Sequence, residues 1–259
     1  MRTLWRLLVV VSVALAGAPT LALDRRELRV GVEPASPPFS ARDEFGGFRG
    51  FNVDITRALC EQMHISCTLI GTNFGDAISQ LQNRVVDVVV ASMTVTAERN
   101  QLVDFTEPYF HSGNRAIGPR GMSDDLSPQA LRGKIIGVHR GTTHDSYATA
   151  TYGVVATIRR YADRDELFID LALGRLDLAI SDGVASRAAF LDTELGAGFA
   201  FVGPELEAPQ FFGEGEAIAV RKGDDELRQA LNDALKQIRA DGTAATISRE
   251  YFGADLPTN

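Results

Sequence analysis

Arg99 lies just past the apolar run at 85–90, in the first turn of a helical stretch that Thr96 is placed to cap. A guanidinium beside unpaired helix N–H groups can grip a carboxylate through two parallel hydrogen bonds. A solvated surface arginine is the competing reading of the same spacing. Ser92 and Thr94 share one side of the strand end by period-two alternation, next to the Ala91 carbonyl. Farther along, Gly141-Thr142-Thr143-His144 connects a strand pattern to a helix pattern, so its backbone amides can form a second anion cradle or simply an ordinary N-cap. Asp182 follows another strand and precedes Gly183, as a turn-forming aspartate would. The four histidines, His64, His111, His139 and His144, have no serine-elbow or Cys-His context. No HExxH, Cys/His cluster or EF-hand loop occurs, so no metal or other cofactor is expected.

The elements that must position these groups alternate between strand and helix. Runs at 28–32 and 85–90 have the length and β-branched content of strands buried on both faces. Between them, 52–63 and 74–81 repeat apolar residues at helical spacing around a strand at 67–70, which makes a βαβαβ unit. The rhythm recurs with strands at 134–138, 154–159 and 176–180 and helices at 143–152 and 166–173, where Thr142 and Asp163 are candidate N-caps. A periodic helix begins at Asp225, is broken at Asp241-Gly242, and is followed by a short second helix ending at Tyr251.

The first 22 residues carry Arg2 and Arg6, an apolar run and then small residues, the order of a secretory signal peptide. The apolar run is well short of the ~20 residues needed to span a bilayer. Cleavage after Ala22 leaves 237 residues, and removal of Arg2 and Arg6 from 26 basic against 34 acidic side chains moves the net charge from -8 to -10. So acidic a chain is a poor nucleic-acid binder. Cys60 and Cys67, in a chain addressed to an oxidising compartment, read as a disulfide, with two free buried thiols as the alternative. Closing so short a ring is worth about 2.5 kcal/mol.

The stretch Gly50-Phe51-Asn52-Val53-Asp54-Ile55 with Ala58-Leu59-Cys60 resembles the signature of bacterial extracellular solute-binding proteins for polar amino acids, especially the lysine/arginine/ornithine and histidine binders. Val95-Thr96-Ala97-Glu98-Arg99, Asp104-Phe105-Thr106-Glu107-Pro108-Tyr109, Gly174-Arg175-Leu176-Asp177 and Asp241-Gly242-Thr243 extend the likeness along the chain. Asn52 departs from the family's usual acid, at a position read as a helix cap that Asn serves equally. The resemblance implies an α/β, two-lobed periplasmic-binding-protein fold of type II. Each lobe is then a mostly parallel sheet flanked by helices, and two hinge crossings join them. Lobe one takes 23–111 plus 208–259, and lobe two takes 112–207. It also implies a periplasmic monomer that closes around a free amino acid or a derivative and serves an inner-membrane ABC transporter permease.

By the same resemblance Arg99, Thr94 and the Thr142–Thr143 cradle hold the ligand's α-carboxylate, while Asp182, Ser92 and the Ala91 carbonyl meet its α-ammonium. Phe74 lies along the side chain, and Glu33 meets a distal cation, which favours arginine, lysine, ornithine or histidine. Ser36 stands where the family has a tyrosine wall, and His139 and His144 replace neutral residues near the side-chain end, which admits a wider ligand such as an opine. An enzymatic branch of the fold, periplasmic cyclohexadienyl dehydratases, is the alternative of a different class. It needs an acid a few places after Asp182, where this chain has Val184, Ala185 and Ser186.

Overall fold

Strand-forming runs that read as continuous Val, Ile and Leu end up at the centre of two separate sheets. The computed structural model describes residues 26–213 and 215–253; the signal-peptide expectation for 1–22 lies outside them. In chain order come β1 (Glu27–Val32), a small antiparallel layer of β2 (Ala35–Ser36), β3 (Ser40–Arg42) and β4 (Phe48–Arg49), then α1 (Phe51–Gln62), β5 (Ser66–Gly71), α2 (Ala77–Gln82), β6 (Val88–Thr94) and β7 (Val103–Phe105). The middle of the chain supplies β8 (Asn114–Pro119), β9 (Ile135–His139), α3 (Thr143–Tyr152), β10 (Thr157–Tyr161), α4 (Arg164–Ala172), β11 (Leu178–Asp182), α5 (Gly183–Ser186) and β12 (Phe199–Val202). The last part gives α6 (Pro209–Phe212), β13 (Glu216–Arg221), α7 (Asp225–Ala240) and α8 (Thr243–Phe252).

One sheet has the order β5-β1-β6-β13-β7 and the other β10-β9-β11-β8-β12. The chain passes from the first to the second between Phe105 and Asn114 and returns between Val202 and Glu216. In each sheet the three strands of the βαβαβ unit are parallel, and antiparallel strands complete the rest. Those added strands, β7, β8, β12 and β13, are absent from the sequence reading. β7 and β8 follow one another with no helix between them, and β8 and β13 are where the chain lands after each crossing. Each sheet is buried on both faces: Val30, Val88 and Ile218 pack one face of the first against α1 and α7, and Val89, Met93 and Ala219 pack the other. Leu227, Leu231, Ala234, Leu235 and Ile238 form the buried stripe of α7, as helical spacing requires. No helix among the described residues is long and apolar enough to cross a membrane.

Three elements differ from expectation in ways that shape the site. β6 starts at Val88 and runs to Thr94, because Asp87 turns aside to meet Arg29 and Arg221 while Met93 and Thr94 pair with β13. The helix expected at 74–81 begins as a single tight turn at Phe74–Asp76 before α2. Asn52 is the second residue of α1, buried and not its cap. Gly50 precedes the helix at φ 126°, where a Cβ would lie 2.5 Å from the Phe39 carbonyl oxygen.

Cys60, near the end of α1, and Cys67, in β5, are joined, with their Cα atoms 6.2 Å apart. Replacing both with Ser is expected to lower unfolding stability by about 2.5 kcal/mol in a denaturant titration and leave ligand affinity unchanged, since the bridge is a local staple away from the cleft. A change in affinity beyond about threefold would show that the staple also shapes the site.

Candidate functional site: a cleft between two sheets

The C-terminal ends of the parallel strands are where open α/β sheets place ligand-binding groups. Glu33 follows β1, Ala91 to Thr94 end β6, His139 ends β9, Thr142 caps α3, and Asp182 ends β11. The two sheets bring these ends together around a cavity of about 40 Å³. Ser36, Phe74, Ala91, Ser92, Thr94, Arg99, Thr142, Thr143, His144 and Asp182 all line it. Glu33 and His139 stand behind that lining, both buried, with Glu33 Oε1 3.7 Å from His139 Nε2. Phe39, Asn114, Arg164 and Glu216 also line the cavity, and the sequence reading assigned them no role there.

Arg99 is only 8% exposed. Its backbone N–H donates to Thr96 Oγ1 at 3.2 Å, as capping requires, although the helix expected there is a single turn, Arg99–Gln101. The guanidinium donates to the Thr94 carbonyl at 2.8 Å and, from the first lobe to the second, to the Gly141 carbonyl at 3.1 Å. Its carbon lies 5.3 Å from the centre of the Phe74 ring. Burial lowers its pKa to about 10, so it stays charged at neutral pH.

Facing it, the Gly141–Thr143 turn is partly committed within its own lobe. Gly141, at φ 74°, donates its N–H to Asp145 Oδ2 at 3.2 Å. The Thr142 hydroxyl accepts from Asp145 N and donates to the His139 carbonyl. The cradle that remains is the opening of α3, where the Thr143 and His144 amides precede the first internal helix bonds.

At the other end, Asp182 caps α5 through Ala185 N at 2.7 Å and hydrogen-bonds the Ser112 hydroxyl. Burial lifts its pKa to about 6. Glu216 opens β13 beside it; burial and the Asp182 charge push its carboxyl well above the usual range, and its Oε2 is buried without a partner. Glu216 reaches the cavity from the other lobe, on a strand the sequence reading did not contain. Two carboxyls converge where the sequence reading had one.

Ser92 is held at φ 47°, a conformation that costs a non-glycine residue on the order of 1–3 kcal/mol and persists only when its surroundings over-determine it. Its N–H donates to Tyr109 Oη, Tyr109 donates to Asn52 Oδ1 at 2.8 Å, and Asn52 Nδ2 donates to Ser92 Oγ at 3.2 Å. This buried triangle aims the end of β6 into the cleft, and it explains why position 52 needs a short hydrogen-bonding side chain even though it caps nothing.

The side-chain end is walled by Phe74, whose ring centre is 5.8 Å from that of His139, with His144 next to Phe212. Burial, reinforced by the Arg164 charge, lowers His139 to about 4 and His144 to about 3, so both are neutral at pH 7. Burial raises the Glu33 carboxyl, opposed by Arg164 and the Ser36 hydroxyl. Arg164 donates to Ser36 Oγ at 2.5 Å, a buried bond that joins the lobes. Its one sequence signal was its place directly after the Asp163 cap, which reads as solvent-facing. Among the described residues no group of three or more His, Cys, Asp or Glu could hold a metal ion.

Comparison with known proteins identifies the family. The chain is 40% identical to the L-arginine-binding protein of Pseudomonas aeruginosa over 96% of each chain, and 32% identical to the lysine/arginine/ornithine-binding periplasmic protein of Escherichia coli over 97% of this chain and 96% of that one. A solved ancestral arginine-binding protein bound to arginine superposes with a TM-score of 0.81 at 34% identity, covering 88% of this chain and 99% of that one. The relatives named here are binding proteins, and residues 28–254 match the profile of the bacterial extracellular solute-binding proteins, family 3, the family to which the chain belongs.

Proposed function

We propose that this protein captures one polar, cationic α-amino acid in the periplasm, after export by the 1–22 signal peptide, and delivers it as a monomer to the permease of an ABC importer. The observation that carries the reading is the opposition of buried Arg99 on one lobe and half-buried Asp182 on the other, lining one cavity. That pair matches the two charges every free amino acid carries. In this reading Arg99, Thr94 and the α3 amides hold the carboxylate. Asp182, Glu216, Ser92 and the Ala91 carbonyl hold the ammonium, and Phe74 lies along the side chain. Lobe one (23–111 and 208–259) and lobe two (112–207) move as units about the two crossings, and the closed form is what the permease recognises. Glu33 at the far end favours a cation, as do the substrates named for the relatives.

A thermal-shift panel of arginine, lysine, ornithine, histidine, glutamine, glutamate and octopine tests the side-chain assignment. The cationic amino acids are expected to stabilise most, and Glu33→Gln to remove several-fold of their affinity while leaving glutamine nearly unchanged. Strong stabilisation by glutamate alone, the same in Glu33→Gln, would contradict the assignment. Octopine as the best ligand would move it to an opine conjugate.

A further inference from the structure

Glu33 has a buried opponent. Arg164 opens α4 on the second lobe, is 8% exposed, and donates through Nη1 to the hydroxyl of Ser36 on the first. Its Nε is buried with no hydrogen-bond partner. Ser36 is also the residue whose hydroxyl reaches toward Glu33, so the two charges flank one side chain and form no direct ion pair. A lone carboxylate at the end of a closed cleft selects for a cation. A guanidinium buried in the same end opposes that selection, because a ligand cation attracted by one is repelled by the other at similar range. His139 packs against Glu33 and carries no compensating charge at neutral pH.

We propose that Arg164 is a specificity-determining residue that offsets Glu33, so that an α-amino acid ending in a neutral, planar ureido or carboxamide group is accepted alongside the cationic ones. Such a group offers N–H donors to Glu33 and a carbonyl acceptor to Arg164, and it leaves neither charge facing a like charge. This inference rests on the α-amino-acid reading above and refines its side-chain end.

Arginine and citrulline are close isosteres that differ in charge, which makes them the probe pair, with ornithine and glutamine as a second pair. Calorimetric titration of wild type, Arg164→Gln and Glu33→Gln gives the ratio of citrulline to arginine Kd for each. Arg164→Gln is expected to raise that ratio about tenfold or more, chiefly by tightening arginine, and Glu33→Gln to lower it; Arg164→Lys should stay near wild type. If Arg164→Gln does not fold, Arg164→Met serves as the neutral replacement. A ratio within about threefold of wild type in a folded, ligand-binding neutral variant overturns the role of Arg164 and leaves the amino-acid reading standing. Wild-type protein that binds citrulline or glutamine and no cation overturns the cationic assignment and supports Arg164 as the dominant charge. Failure of wild type to bind any of the four overturns both.

Discussion

Arg99→Ala is expected to weaken ligand binding about thirtyfold or more, a loss on the order of 2–5 kcal/mol. The effect is large because the guanidinium is buried, so the ligand's carboxylate would enter a closed cleft with its main counter-charge gone. Two further losses act in the same direction. The hydrogen bond from Arg99 to the Gly141 carbonyl is one of the few that join the lobes, and the ring of Phe74 loses the cation it faces. Arg99→Lys keeps the charge and loses the planar fork, so it should fall between wild type and alanine. Calorimetry is the suitable readout, since the chain's one tryptophan, Trp5, lies within the segment proposed as the signal peptide and the proposed mature protein has no indole to report closure. A loss below about threefold in Arg99→Ala would remove the carboxylate site from Arg99.

The second large effect is at the ammonium end, and it carries a pH signature. Asp182 in the ligand-free protein titrates near 6, raised by burial, while a bound ammonium favours its ionised form. Binding therefore expels a proton below that pKa, and affinity should fall about tenfold from pH 7.5 to pH 5. Ligand-free stability runs the opposite way. A carboxyl with a raised folded-state pKa favours the folded state most fully below its unfolded value, and that contribution is lost as pH rises through about 6. Asp182→Asn retains the cap on α5 and removes the charge, so it isolates the binding role from the structural one. It is expected to cost roughly tenfold to a hundredfold in affinity at pH 7.5 and to remove the share of the acidic fall that Asp182 carries, leaving what Glu216 contributes. Glu216 limits the loss: once the Asp182 charge is gone, one cause of its own raised pKa is gone too, and it ionises more readily beside the ammonium. Adding Glu216→Gln should therefore cost more on the Asp182→Asn background than on wild type. An acidic fall that persists unchanged in Asp182→Asn would place the titrating group elsewhere.

The parts of the site that follow from strand ends were legible in the sequence, and the parts that depend on returning chain were not. Arg99, Thr142 and Asp182 could be picked out as candidates because each follows a strand end, and the family resemblance supplied the roles expected of them. Glu216 could not, because β13 is antiparallel and belongs to neither βαβαβ unit, and its proximity to Asp182 arises only when the second crossing returns to the first sheet. Arg164 was hidden for a different reason. An arginine after an N-cap belongs on the surface by local rules, and here it is buried against the facing lobe, where it donates to the hydroxyl of Ser36. Asn52 was legible as part of a helix start, but its role there is not capping. Gly50 makes the helix entry, and Asn52 is turned inward to brace Ser92.

The most direct measurement is the mass spectrum of the small molecule released on denaturing protein that has been purified from its own periplasm. The account predicts a near-stoichiometric α-amino acid, or a conjugate that keeps both the α-ammonium and the α-carboxylate, with a polar side chain. A tightly held molecule that lacks either α-group would contradict the opposition of Arg99 and Asp182 on which the whole reading stands.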